Sequence, residues 1–309
     1  MSTPAEKFAA AKTRSKHVVT EDFLAQFDFA FDDFQIRACH AVESGHGVLV
    51  AAPTGAGKTV VGEFAAFLAL RNGKKCFYTT PIKALSNQKF QEFVARFGED
   101  RVGLLTGDTN INSEADILVM TTEVLRNMLY AGSSTLTNLG SVVMDEVHYL
   151  ADKFRGAVWE EVLIHLMESV QVISLSATVS NAEEFGEWLG EVRGQTEIIL
   201  SEHRPIPLYQ HFLINSSLID LFSSPGKVNP EILAAEREAM RKVKVPRHRR
   251  EQWGVQESRL SRPEIIEKLQ RENLLPAITF IFSRIGCDAA VKQCLTAGLK
   301  LTNTEERTD

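Results

Sequence analysis

The sequence predicts an α/β fold in which a parallel sheet is covered by helices, and three observations carry that prediction. From residue 47 to about residue 190, short apolar runs alternate with patterns of helical period, the arrangement of repeated βαβ units. A glycine-rich stretch, "AAPTGAGKT" at 51–59, lies between one such run and a helical pattern. A later run, "SVVMDEVH" at 141–148, ends in two adjacent carboxylates.

The elements follow in order. "EDFLAQFDFAFDDFQ" places five phenylalanines in the twelve residues from Phe23 to Phe34, a density that predicts docking on a core. "GVLVAA" reads as a buried strand, followed by a helix over 58–71 that stops near Gly73, a C-cap residue. "KCFYTT" precedes a helix over 82–96; "VGLLT" and "DILVM" follow, with a helix over 122–130. "SVVMD" precedes a helix over 157–169, and "QVISLSAT" one over 181–189. The first domain therefore ends near residue 200. Beyond it, "HRPIPLYQHFLI" reads as a strand-like restart, "NSSLIDLFSSPGKVNP" as a loop, and "AITFIF" at 277–282 as a buried strand leading into a short helix. That second unit has too few strands to close a domain.

Composition excludes several classes. The chain has 309 residues, 44% apolar and 24% charged, which suits a globular protein of roughly two domains. No apolar run approaches the roughly 20 residues of a membrane span, and the N-terminal residues lack the apolar region of a signal peptide. A cytoplasmic protein without a membrane partner is expected. The four cysteines form no C-x-x-C pair, so neither a zinc site nor a disulfide framework is suggested. A net charge of −6 means that any nucleic-acid binding relies on local groups. Residues 236–252 depart from that average, with seven Lys or Arg against three Glu; this is a phosphate-contacting patch or a solvated charge run.

"AAPTGAGKT" matches the P-loop pattern, with Ala52 in place of its first glycine. Gly55 and Gly57 let backbone N–H groups from Thr54 to Lys58, Ala56 among them, converge on an anion at a helix start. Lys58 then reaches the β and γ phosphates, and the Thr59 hydroxyl coordinates Mg²⁺. The alternative is a glycine-rich turn that binds nothing. Asp145, at a strand end, suits a Mg²⁺ held through water, and Glu146 suits the orientation or deprotonation of an attacking water; a capping acidic pair is the alternative. In "SLSAT", Ser176 and Thr178 share one face.

Together "AAPTGAGKT", "TTPIKALSNQK", "LTGD", "MTTE", "DEVH" and "SAT" stand in the order of motifs I to III of superfamily 2 helicases. With "HRPIPL" after "SAT", the chain most resembles the superkiller-type (Ski-like) DExH RNA helicases, the bacterial HelY-type members in particular. The resemblance covers about residues 30–215 and "AITFIFSR". It implies a RecA-like ATP-binding domain over 31–200 behind a leader at 1–30, then at 201–309 a linker and the beginning of an incomplete second RecA-like domain. It implies ATP and Mg²⁺ as cofactors, and single-stranded or 3′-tailed RNA as partner, with DNA possible. Gln35 matches the glutamine that reads the adenine edge. Lys58, Thr59, Asp145, Glu146 and His148 match the catalytic set, with Thr59 and Asp145 at the metal. His148 matches the residue that couples the nucleotide to Ser176 and Thr178. Thr80, Pro81, Lys83, Gly107, Asp108, Thr121, Thr122 and Glu123 match loops that hold a strand by its backbone.

The family's Q-x-x-G-R-x-G-R run is missing from the sequence, which reads as truncation after motif IV. An arginine finger is worth on the order of 10³ to 10⁵ in rate, so this chain is expected to bind ATP but hydrolyse it poorly. The reading is the ATP-binding part of an ATP-dependent RNA helicase. An ATP and nucleic-acid binding module without turnover, and a DNA-directed superfamily 2 helicase, are the alternatives.

Overall fold

The computed structural model describes residues 16–177, 181–214, 217–224, 226–243 and 260–300, without the side chains of 236 and 238–243. Contacts divide the chain into two units, Met1–Ile206 and Pro207–Asp309. Among the described residues, no helix is long and apolar enough to cross a membrane.

The first unit is built on an eight-stranded sheet. Its strands are β1 (Gly47–Ala51), β2 (Lys75–Thr80), β3 (Val102–Leu105), β4 (Asn110–Ile111), β5 (Ile117–Thr121), β6 (Leu139–Met144), β7 (Gln171–Ser176) and β8 (Thr196–Leu200). They lie in the order β4-β3-β5-β2-β6-β7-β1-β8. Every pairing is parallel except β3 with the short β4. Helices cover both faces, which is why the strands read as continuous apolar runs and not as alternating ones. Along β1, Val48 and Val50 join one core with Phe23, Phe64, Tyr78 and Phe93, whereas Leu49 and Ala51 join the other with Leu125, Trp159 and Leu189. The fold class and the strand runs expected for this unit are those found. β8 is an addition to the sequence reading; it extends the sheet beside β1.

Helices α1 (Val18–Leu24) and α2 (Asp33–Glu43) precede the sheet. Phe23 is fully buried, edge-on to Phe27 and to Phe64 of α3 (Thr59–Arg71), so the phenylalanine-rich leader packs on the core as its composition predicts. Glu43 accepts hydrogen bonds from the N–H groups of Val19 and Thr20 at 2.9 Å and from the Thr20 hydroxyl at 2.6 Å. Burial pushes the Glu43 carboxyl up, but these donors together with His17 hold it below its usual range.

Helices α4 (Lys83–Phe97), α5 (Thr122–Ala131), α6 (Gly156–His165) and α7 (Ala182–Arg193) complete the layers. α6 stops short of its expected end. The Arg193 guanidinium donates to the carbonyls of Leu166 at 2.6 Å, Met167 at 2.7 Å and Val170 at 2.9 Å, satisfying groups that a helix end otherwise leaves unpaired.

In the second unit, β9 (His211–Ile214) pairs antiparallel with β10 (Ser217–Asp220), and β11 (Phe222–Ser224) with β12 (Lys227–Val228). The segment expected as a loop at 215–230 therefore holds short strands. Helices α8 (Pro230–Val243), α9 (Arg262–Arg271) and α10 (Arg284–Thr296) follow. "AITFIF" corrects the sequence reading: it is no strand, and Ile278, Phe280 and Phe282 are 84%, 80% and 104% exposed. Among the described residues no neighbouring strand receives its backbone groups, and pairing is what makes an extended apolar run a strand. Arg237 and the helical backbone through Val243 apart, the basic segment at 236–252 lies outside the described residues.

Candidate nucleotide site and strand-binding edge

The parallel strands bring the expected motifs to the C-terminal edge of one sheet, where open α/β sheets bind ligands. β1 ends in the P-loop, β7 in Ser176, β6 in Asp145 and Glu146, β2 in Thr80 to Lys83, and β5 in Thr121 to Glu123, while β3 leads to Gly107 and Asp108. In strand order, the nucleotide motifs occupy one stretch of the edge and the expected strand-contacting loops the next.

The P-loop is shaped by backbone that glycine adopts freely. Gly55 has φ +86° and Gly57 φ +77°, and Ala56 N–H bonds the Pro53 carbonyl at 3.1 Å. Lys58 occupies the N-cap of α3 and Thr59 is its first residue. Lys58 is 9% exposed, and its ammonium donates to the carbonyls of Ala52 at 2.7 Å and Pro53 at 3.1 Å. Burial lowers its pKa, and Glu146 and Asp145 partly offset that.

Gln35 braces the loop from α2. Its Nε2 donates to the carbonyls of Gly57 at 3.0 Å and Ala56 at 3.3 Å, while Oε1 accepts from the N–H of Asp32 at 2.8 Å. The carboxamide expected to read adenine is thus engaged by the P-loop and by its own helix start.

Across the site, Asp145 N–H continues the ladder to Thr79 O at 2.9 Å. Its carboxylate accepts the Tyr78 hydroxyl at 2.7 Å and the Glu146 N–H at 2.9 Å. Tyr78 is fully buried, and burial followed by Asp145 pushes its hydroxyl well above its usual pKa, so it stays a donor. Glu146 has a left-handed backbone, φ +52°. Burial, then Asp145, raises its pKa, against His148 and Lys58. Its buried Oε2 has no hydrogen-bond partner among the described residues, although His148 Nδ1 lies 3.3 Å away. A buried ammonium bound, among the described residues, by carbonyls alone, beside two carboxylates with acceptor capacity to spare, fits a polyphosphate with Mg²⁺.

His148 and Ser176 line one cavity of about 600 Å³ with Leu49, Phe185 and Trp188; Lys58 is not part of it. Thr178 lies outside the described residues.

The expected strand contacts divide into buried and exposed sets. Thr80 and Thr122 are fully buried: the Thr80 hydroxyl donates to Ile82 O at 3.0 Å and bonds Ser86 Oγ at 2.7 Å, and Thr122 Oγ1 donates to Thr80 O at 3.3 Å. They join the two loops to each other. Thr121 occupies the N-cap of α5. Lys83, Gly107 and Asp108 are exposed. Lys83 ion-pairs with Asp108, which it and the Thr106 hydroxyl hold below the usual carboxylate range.

Two residues escape the sequence reading. Tyr78 is one, since nothing in "KCFYTT" marks a partner 67 positions away. Arg155 is the other: its Nη2 donates to Pro81 O at 2.7 Å and to Glu123 Oε1 at 2.6 Å. It ties the segment after "DEVH" to both neighbouring loops, and "KFRG" at 153–156 carries no local pattern that announces this.

This edge defines a P-loop helicase domain: residues 32–185 match the DEAD/DEAH box helicase family, and the chain carries that family's domain. More particularly, it is similar to Probable helicase HelY of Mycobacterium leprae, with 56% identity over 299 residues covering 92% of this chain and 32% of that protein. The DExH-box ATP-dependent RNA helicase DExH15 chloroplastic of Arabidopsis thaliana is 42% identical over 88% of this chain and 27% of its own length. Superkiller complex protein 2 of Homo sapiens is 43% identical over 92% of this chain and 24% of its own. The chain thus spans about a third, or less, of these curated relatives.

Proposed function

We propose that the chain is the ATP-binding part of an ATP-dependent RNA helicase, holding ATP with Mg²⁺ and a single-stranded or 3′-tailed RNA. The observation that carries this reading is the continuity of one sheet edge, on which P-loop, "DEVH" and the loops after β2, β3 and β5 are neighbours, with Arg155 tying two of those loops to the segment after "DEVH". The name of the Arabidopsis relative favours RNA over DNA.

Lys58 exchanges two backbone carbonyls for the β and γ phosphates, with the N–H groups of Thr54 to Lys58 around them. Thr59 and Asp145 would hold Mg²⁺, which would neutralise developing phosphate charge. Tyr78 fixes one Asp145 oxygen and so holds the orientation of the carboxylate that would meet the metal. Glu146, whose Oε2 has no hydrogen-bond partner among the described residues, orients the attacking water and takes its proton. Gln35 reads the adenine edge on giving up part of its grip on the P-loop. His148 relays the state of the nucleotide toward Ser176 and Thr178. Exposed Lys83 and the backbone at Gly107 take the strand's phosphates, and Arg155 passes movement at "DEVH" to that surface.

Calorimetric titration with ATP-Mg²⁺, followed by turnover with and without single-stranded RNA, tests this in the wild type and in Lys58→Ala. Micromolar-range binding that Lys58→Ala weakens at least tenfold is expected, about 1.4 kcal/mol or more. Equal binding by the two proteins would overturn the reading. Matched DNA in place of RNA separates the two strand types, which differ by a 2′-OH.

A further inference from the structure

Phe154 belongs to none of the motifs above. Its side chain is 94% exposed, more than any other large apolar residue described in the first unit, and it meets no other ring among the described residues. The turn that carries it is tightly determined. Asp152 Oδ1 accepts the N–H groups of both Phe154 and Arg155 at 2.9 Å, and Gly156 N–H bonds Asp152 O at 2.8 Å. A Cβ at position 156 would lie 2.0 Å from Leu150 O, so only glycine closes the turn. The next side chain, Arg155, is anchored on Pro81 and Glu123. Neighbouring Cα atoms are about 3.8 Å apart, so a fixed turn presents a bare aromatic ring to solvent one residue from the anchor on the proposed strand loops.

We infer that Phe154 is a base-stacking residue of that edge. The loops themselves offer N–H groups, a hydroxyl and Lys83, which hold a backbone without touching bases. Non-specific single-strand sites combine such contacts with an aromatic platform, because every base has a π-face. The surroundings favour a polyanion over an apolar protein surface. Asp108 is paired with Lys83, Glu123 with Arg155, and Asp152 with two N–H groups, whereas Lys153 is exposed and has no ion pair among the described residues.

The inference rests on the proposed function, and its test keeps the two apart. The wild type, Phe154→Ala and Phe154→Trp are titrated with a single-stranded RNA oligonucleotide and with an abasic strand of the same length and backbone. Phe154→Ala is expected to weaken binding of the intact strand about tenfold, within the range of one stacked base. It should leave the abasic strand and ATP-Mg²⁺ unaffected. Phe154→Trp should keep the affinity and add fluorescence that the intact strand quenches. Unchanged affinity of Phe154→Ala for the intact strand, or equal losses for both strands, overturns the inference and leaves the proposed function standing. A wild type that binds neither strand overturns both.

Discussion

At Lys58 and at Glu146 the site works against charge. Burial disfavours both ionised forms, lowering the pKa of one and raising that of the other, and their mutual attraction only partly offsets it. The Glu146 carboxyl is raised in the folded chain, by burial first and then by Asp145, so its effect on stability is most favourable below the ordinary carboxylate value of 4.5 and is lost as pH rises through its higher folded value. At neutral pH the ionised carboxylate therefore costs stability. Glu146→Gln removes that cost: its melting temperature at pH 7 should exceed that of the wild type, and the gain should shrink to nothing as pH falls below about 4.5. Thermal melts from about pH 4 to pH 8 measure this, and a gain that persists or grows in acid would refute it. The same substitution removes a carboxylate that would receive a proton from water, so increased stability and lost turnover are expected in one variant.

At the scale of elements, α3 and β2 meet at a glycine. A Cβ on Gly62 would lie 2.7 Å from Tyr78 Cε2 and 3.1 Å from Val143 Cγ1. The ring cannot yield freely, being packed edge-on against Phe93 of α4 with its hydroxyl on Asp145. Gly62→Ala gains about 1 kcal/mol of helix propensity but overpacks a full core, which costs about 1–3 kcal/mol. The variant should be less stable in urea and should bind ATP-Mg²⁺ more weakly, since the displaced Tyr78 loosens Asp145. Greater stability with unchanged nucleotide affinity would show that the ring has room. Such contacts mark the limit of what the sequence discloses. β1, β2, β6 and β7 are legible because burial on both faces makes each a continuous apolar run, and the P-loop because its glycines and Lys58 are contiguous. The grip of Tyr78 on Asp145, of Arg155 on Pro81 and Glu123, and of Arg193 on the end of α6 joins residues far apart in the chain, and no local pattern encodes those meetings. β8 leaves a weaker trace because "TEIIL" is only half-buried and opens on the polar pair Thr196 and Glu197.

Across the whole molecule, apolar runs of similar composition meet different fates. "SVVM" in β6 and "ISLS" in β7 lie between two parallel neighbours under helices on both sides. "AITFIF" is as apolar and as β-branched, yet Ile278, Phe280 and Phe282 face solvent and, among the described residues, no backbone N–H from 277 to 282 donates a backbone hydrogen bond. Composition announces the capacity to be a strand; neighbouring strands decide whether it is used. Exchange of amide hydrogens reads that difference directly, because a protected amide must first break its hydrogen bond through local or global opening. Peptides covering β6 and β7 should retain protons for hours, while a peptide covering 277–282 should exchange within the first seconds at neutral pH. Protection at 277–282 comparable to that of β6 would mean that these residues find a ladder, and the exposed run would have to be redrawn as an internal strand of the second unit.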